Sequence, residues 1–515
     1  MTLIIFGRAL FLPFFFDDLV HLPFVDQYSL AELWASAADA PYYRPLTFSV
    51  WKLFYLILGE HNPIVHHGIN LFLHAFNGLL VGLLSLRLYR MNGHASNRLP
   101  LAGSGILGAS IYLVFPFHYQ TIPWPGALSQ ILVTSLTLGS ILAYLAAEDT
   151  RHRWAYLSLG LGLAALAPFA HENGVLVGPL LFLIELMRFR PTRWRTAILY
   201  PALFTLPALL WLPLRFSITT GREELEILAN WEAVYQNLVY FFQGLTFPFT
   251  IVGQRVMALT GWGDFRTIFV LGGAALFFVI FLAWTSRLTL WRMFLLGIGW
   301  WFIGIGPALI VFDFDYVIKG PRLMTLAAVG IALFWEAAIL SLHVDSSDQS
   351  HKSAEPQNSP NIGHFRRFKG VIGILLSLFI AGGGGGFLWQ QMSHYQMIGS
   401  AYHQTVEWAF EAEKQNQQLV FINFPARVVK QPLTFAVGHE GVSFWPVYAP
   451  HRSIVTINGG PPNANPVFLS YDGIRLEQPY LYNLVNPNGD LGEIISAGPA
   501  LIVQTIYRED GIELI

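Results

Sequence analysis

The run NPIVHHGINLFLHAFNGLLVG (residues 62–82) decides the fold. The apolar stretch it opens, roughly 64–89, exceeds the ~20 residues that cross a bilayer. It nevertheless carries His67, Asn70, His74 and Asn77 at i, i+3, i+7 and i+10, one stripe of a helix. Such a stripe cannot face lipid without cost, so it faces a helix bundle or an aqueous cavity. Working outward, further apolar runs lie at roughly 99–117, 124–147, 154–170, 173–189, 194–214, 266–285, 289–312, 322–342 and 370–389. The opening MTLIIFGRALFLPFFF is a weaker one, about 24 Å long as a helix against a ~30 Å hydrocarbon core. It has no small-residue cleavage site before Asp17, so it reads as a short first span, not a signal peptide. The expectation is a polytopic α-helical membrane protein with about eleven transmembrane helices.

Composition agrees. Of 515 residues, 54% are hydrophobic and only 12% charged, with a mean hydropathy of +0.48. A soluble domain carries about 25% charged residues, so an ordinary cytosolic enzyme and a disordered chain are both excluded. The net charge of −2 gives no basic field for nucleic acid. The absence of cysteine excludes disulfides, thiolate metal sites and cysteine nucleophiles.

Charge sets the orientation. Lys and Arg crowd RLYRMNGHASNR (87–98), EDTRHR (148–153), MRFRPTRWR (187–195), TSRLTLWR (285–292) and HFRRFKG (364–370), while the turns near 117–124 and 170–173 hold none. Positive charge marks the cytoplasmic side. Asp17–Pro63, 216–263, 313–321 and the C-terminal region then lie outside. Residues 1–343 read as the membrane module, with 17–63 as its first outer loop. A flexible cytoplasmic linker is expected over 344–369 and a last span over 370–389, containing Gly382–Gly386. From 390 onward a helical stretch precedes the β-type runs LVFINF, SIVTING, NPVFLSY and ALIVQTIY. Asp472–Gly473 and Asp510–Gly511 are candidate hairpin turns, so a small extracytoplasmic α+β domain is expected.

The ionisable groups gather on the outer side. Asp17 and Asp18 follow the first span directly, and Arg44 stands in PYYRPLTFSVW. His118 lies in FPFHYQTIPW, His171 and Glu172 in APFAHENGVLVG, and Lys319 and Arg322 in FDFDYVIKGPR. Singly, each has a structural reading: a helix cap, a snorkelling arginine, or an interhelical hydrogen bond. Together they suggest an outward-facing polar chamber. A carboxylate there can act as general base, and arginine can hold a phosphate leaving group. If a divalent cation such as Mg or Mn takes part, Asp17 and Asp18 are its ligands. His67 and His74 are two turns apart, too far for easy zinc co-ligation.

In this order, FFFDDLV, then YYRPLTFSVWKLFYLILGEHNPIVHHGINLFLHAFNGLL, the residues resemble the N-terminal region of C-type (GT-C) membrane glycosyltransferases. The similarity is to the branch of the transmembrane and tetratricopeptide-repeat O-mannosyltransferases and their prokaryotic relatives. It covers roughly residues 10–340. The resemblance implies transfer of a sugar from a polyprenyl-phosphate donor to a protein or envelope-glycan acceptor at the outer face of the cell membrane. It makes Asp17 and Asp18 the catalytic or acceptor-positioning pair, with Glu172 supporting. Arg44, His67, Asn70, His74, His118, His171, Lys319 and Arg322 are the candidate donor-binding groups. The chain departs from that branch in lacking the tetratricopeptide array. The competing readings are another lipid-linked transferase, a transporter and a non-catalytic scaffold. A transporter usually shows internal repeats and spans broken at mid-membrane; here the polar groups collect at one face.

Overall fold

The computed structural model describes residues 1–35, 43–91, 98–188, 194–217, 230–261, 272–273, 276–277, 288–343, 360–435, 437–446, 448–509 and 511–515. Helices dominate the first four-fifths of the chain. Five are long and apolar enough to cross a membrane: Pro63–Met91, Pro125–Ala146, Trp194–Arg215, Trp291–Val311 and Gly370–Lys414. Shorter apolar helices cover Thr2–Phe11, Pro45–Leu58, Gly103–Leu113 and Ala327–Leu342. The expected run at 266–285 lies mostly outside the described residues. Leu203, Leu206, Leu209, Leu210, Ile374, Leu375 and Leu378 are exposed on their helices. Outward-facing leucine of this density suits lipid, not water. The protein is a multi-pass membrane protein.

The opening span is short: an α-turn at Thr2–Phe6 runs into a 3-10 helix at Gly7–Phe11. The segment expected as the first outer loop holds helices Asp18–Gln27, Leu30–Ala35 and Pro45–Leu58. The last begins where Pro45 fits the first helical turn and ends at Gly59, whose φ of +79° is open to glycine. Helices Trp231–Leu245 and Phe247–Thr260 occupy much of the region expected outside, and the Asn237 carboxamide ties the first of them to the Phe312 carbonyl at 2.9 Å.

The polar stripe of Pro63–Met91 is fully buried and joins elements together. His67 Nε2 meets the Leu12 carbonyl at 3.1 Å, and His74 Nε2 meets that of Leu113 at 3.4 Å. The Asn70 amide donates to Trp124 O at 2.7 Å, and the Asn77 amide to Ile131 O at 3.0 Å.

The last span differs from expectation. A single helix runs from Pro360 to Lys414, so the expected linker is already helical from residue 360 and the membrane helix continues without a break into the C-terminal domain. The glycine run does not break it. A Cβ on Gly384 would sit 2.3 Å from the Val114 carbonyl oxygen, whereas Gly382 and Gly386 have open space. Close helix approach explains one glycine of the five.

The C-terminal domain has two four-stranded sheets, and its strands are β1 (Gln418–Ile422), β2 (Pro425–Lys430), β3 (Val442–Ser443), β4 (Val467–Leu469), β5 (Ile474–Glu477), β6 (Tyr480–Leu484), β7 (Ala500–Tyr507) and β8 (Ile512–Leu514). One sheet has the order β4-β1-β7-β8, with β1 parallel to both neighbours and Val420 opposite Val467 and Ile502. The other, β3-β2-β6-β5, is antiparallel. Three of the four expected strands are present. SIVTING instead forms a helical turn, Ser453–Thr456. The Asn458 carboxamide that follows binds the Phe14 backbone, a tertiary contact that overrides the β-branched composition. Asp472–Gly473 joins strands of different sheets and is no hairpin. Asp510 lies outside the described residues; the strands on either side of it, β7 and β8, pair antiparallel.

Gly384→Leu should therefore lower stability by roughly 1–3 kcal/mol through overpacking, while Gly382→Ala and Gly386→Ala should be neutral or stabilising by up to about 1 kcal/mol. Thermal unfolding of the three variants in detergent measures the contrast.

Candidate functional site

Asp17 precedes the helix Asp18–Gln27, and the residue before it carries unusual backbone. Phe16 has φ +55°, a left-handed conformation that costs a bulky residue about 1–2 kcal/mol. Three contacts hold it. The Phe16 N–H donates to Phe444 O at 2.6 Å. The Asn458 carboxamide accepts from Phe14 N–H at 2.7 Å and donates to Phe14 O at 3.0 Å. At roughly 0.5–1.5 kcal/mol net apiece, such bonds outweigh the strain. The rings add to them: Phe15 stacks on Phe444 at 4.4 Å, and Phe16 meets Trp124 edge-on at 5.2 Å.

The two carboxylates have different surroundings. Asp17 is half-buried and accepts a hydrogen bond from the Tyr448 hydroxyl. Asp18 is fully buried, and its Oδ2 accepts from Phe15 N–H at 3.3 Å. Its Oδ1 and the Trp124 indole N–H are electrostatic neighbours, short of a hydrogen bond. Burial first, and the like charge of Asp17 second, push the Asp18 carboxyl well above the usual carboxylate range, although the Phe15 N–H opposes them.

Arg322 stands beside this pair. It donates to Gln120 Oε1 at 3.1 Å and to the Tyr316 hydroxyl at 3.1 Å, and its guanidinium lies 5.2 Å from the Trp124 ring centroid. Among the described residues it makes no ion pair, so its charge is not cancelled by contact. Asp17 is within its electrostatic reach.

Arg44 is engaged differently. Its Nε and a terminal nitrogen reach one oxygen of Glu172, at 3.0 and 2.8 Å. Glu172 opens the 3-10 turn Glu172–Leu176, where Gly174 packs against Ala167 and Pro168 too closely to admit a Cβ. His171 Nδ1 accepts from Asn173 N–H at 3.1 Å, and its Nε2 lies 2.6 Å from the Gln130 carboxamide. Burial holds the His171 imidazole down at about 3, with Arg44 adding to the effect. Burial alone would raise Glu172; the Arg44 guanidinium overrides it and brings the carboxyl down to about 2. His21 lies within electrostatic reach of both Asp17 and Arg44, so the two halves form one cluster.

Six of the expected residues thus come together: Asp17, Asp18, Arg44, His171, Glu172 and Arg322. His67 and Asn70 lie beneath and support Leu12 and Trp124. His74 and His118 pack on each other at 4.9 Å between Phe6, Tyr112 and Phe115, a buried ring cluster. Lys319 is exposed at the rim, where its carbonyl accepts from Gln120 at 3.1 Å and its charge acts on His439. Among the described residues no three His, Asp or Glu side chains group as metal ligands. Tyr448, Gln120, Tyr316 and Gln130 were not expected. Gln120 and Gln130 stand in the FPFHYQTIPWPGALSQ run and were open to notice; nothing around Tyr448 marks it.

The Arg44–Glu172 pair yields a pH prediction. The folded Glu172 carboxyl lies below its ordinary value, so the pair stabilises the protein at neutral pH. That contribution is complete above about 4.5 and fades as pH falls towards 2. The gap in Tm between the unmodified protein and Glu172→Gln should be constant from pH 6 to 8 and shrink below about pH 4.5. Thermal melts across that range read it out.

No family model matches the chain. It is 28% identical over 148 residues to the human protein O-mannosyl-transferase TMTC4, a match covering 26% of this chain and 19% of that protein's length. Solved structures align more broadly and more loosely. ArnT from Cupriavidus metallidurans, in the apo state, shares 12% identity over 81% of this chain and 80% of its own, with a TM-score of 0.39. The Archaeoglobus fulgidus oligosaccharyltransferase, in the apo form, shares 12% over 74% of this chain and 55% of its own, with a TM-score of 0.36. By its name the human relative is a protein O-mannosyl-transferase, and this chain matches about a fifth of its length.

Proposed function

We propose that this chain is an integral membrane glycosyltransferase that moves a sugar, mannose by analogy with the human relative, from a polyprenyl-phosphate donor to an acceptor on the outer face of the cell membrane. The observation that carries the reading is one outward cluster in which a half-buried carboxylate, Asp17, stands within electrostatic reach of a cation without an ion-pair partner among the described residues, Arg322. Asp17 takes the proton of the acceptor hydroxyl or amide. The acceptor atom attacks the anomeric carbon from the face opposite the phosphate, the carbon–oxygen bond breaks, and polyprenyl phosphate leaves with the electron pair. The configuration inverts. Arg322 meets the growing phosphate charge with a planar fork. Arg44, neutralised by Glu172, orders the loop at His171 and is not the main phosphate ligand. An apolar groove of about 430 Å³ lined by Leu161, Phe169, Leu203, Leu206, Leu210 and Trp211 suits a polyprenyl chain. Tyr43, the neighbour of Arg44, packs on Trp211 at its edge.

The two carboxylates separate by environment. Asp17 is the base. Asp18, buried and held towards its neutral form, orders the turn. Asp17→Asn should cut transfer by about 10²–10⁴-fold, while Asp18→Asn, which keeps an acceptor for Phe15 N–H, should lose far less. Transfer of label from tritiated mannosyl-phosphoryl-polyprenol in membranes of expressing cells measures both. Normal transfer by Asp17→Asn removes the mechanism.

The contact between Tyr448 and Asp17 ties the C-terminal domain to the side of the membrane that holds the acid pair. The Lys and Arg distribution makes that side the outer one. A phosphatase reporter fused after Ile515 should be active outside the cytoplasm, and a cytoplasmic signal would reverse the orientation.

A further inference from the structure

The C-terminal domain reaches the acid pair at several points. Its loop between β3 and the Ser453–Thr456 turn supplies Phe444 O to Phe16 N–H and the Tyr448 hydroxyl to Asp17. Asn458, just after that turn, grips Phe14 by both backbone groups and is itself anchored on Ile454 O at 2.9 Å. The same domain is fastened to the membrane module elsewhere. Gln243 and the Val437 backbone exchange two hydrogen bonds, at 2.6 and 2.9 Å, and His439 N–H donates to Ile318 O at 3.1 Å, three residues before Pro321 and four before Arg322. The strained Phe16 therefore does not hold itself. Its φ of +55° persists because chain more than 400 residues away fixes both sides of it.

We propose that the Phe444 carbonyl, Tyr448 and Asn458 form a positioning clamp for the base, with Tyr448 and Asn458 as its two side-chain jaws, so that the C-terminal domain completes the catalytic site. The proposal rests on the reading of Asp17 as base. The clamp fixes the direction of the carboxylate: the Tyr448 hydroxyl occupies one lone pair of Oδ1 and leaves the remaining acceptor positions for the incoming nucleophile. Asn458 sets the backbone rotation from which the Asp17 side chain departs.

The test compares Tyr448→Phe, Asn458→Ala and Asp17→Asn in the full chain, in detergent–lipid micelles, with tritiated mannosyl-phosphoryl-polyprenol and an acceptor extract. Tyr448→Phe and Asn458→Ala should each lower kcat about tenfold or more, with the donor and acceptor KM within about twofold of normal. The Tm of Tyr448→Phe, which loses one hydroxyl, should be nearly unchanged, so it remains informative if Asn458→Ala fails to fold. A normal kcat in Tyr448→Phe, with Asp17→Asn inactive, overturns the clamp and leaves the proposed function standing. A raised acceptor KM with normal kcat also overturns it, by making Tyr448 an acceptor contact. A normal rate in all three variants overturns both readings.

Discussion

The hydrogen bond from Phe16 N–H to Phe444 O is the constraint on which the site depends. It joins the end of the first span to the C-terminal domain and imposes the turn that presents Asp17. A carboxylate at the end of an apolar span can stay near water or be buried, and burial disfavours its charged form. The turn leaves Asp17 half-buried and buries Asp18 completely, which pushes the Asp18 carboxyl upward. Adjacent residues of the same type thus acquire different chemistry from backbone geometry alone, since successive side chains at a helix start point in different directions.

Charge in the cluster follows the same separation. Arg44 and Glu172 neutralise each other beside His171, and the imidazole, held low by burial, adds no further positive charge. Arg322 keeps its charge because its contacts are an amide oxygen, a phenol and an indole face. A cation on aromatic and neutral partners is oriented without being cancelled, which is the condition for meeting a phosphate whose charge appears only as the bond breaks. Gln120 orders this arrangement from both ends, accepting from the Arg322 backbone and side chain while its amide donates to Lys319 O.

What the sequence made legible divides by range. The apolar runs became helices because hydropathy over ~20 residues is a local property. The acid pair, Arg44, His171–Glu172 and Arg322 were legible as charges beside apolar runs, which need pairing or solvation, and the structure brings these six side chains into one cluster. The stripe at His67, Asn70, His74 and Asn77 was legible as inward-facing, but not its partners, which are backbone carbonyls on Leu12, Trp124, Leu113 and Ile131. SIVTING was misread because its β-branched residues favour a strand, and only the contact of Asn458 with Phe14 reverses that preference. Tyr448 could not be found at all: WPVYAPHR carries no motif, and its partner is 431 positions away.

The continuous helix from Pro360 to Lys414 explains how such distant parts stay in register. A flexible joint before the C-terminal domain would let it drift by several ångströms, and a hydrogen bond tolerates only a few tenths. The helix carries the rigidity of the bundle into that domain. Gly384 lies against Val114 within the membrane, and further along Gly399 lies against Leu12 and Pro13, directly before the Phe14–Asp18 turn. Arg8 from the first span binds Gln396 and lies over Trp389 on the same helix. The short first span is thereby strapped along the helix that bears the C-terminal domain, so both ends of the Phe16–Phe444 bond hang from one element. That shared mounting lets three bonds of roughly 1 kcal/mol each hold a strained residue: their ends are already in place, and little conformational entropy remains to oppose them.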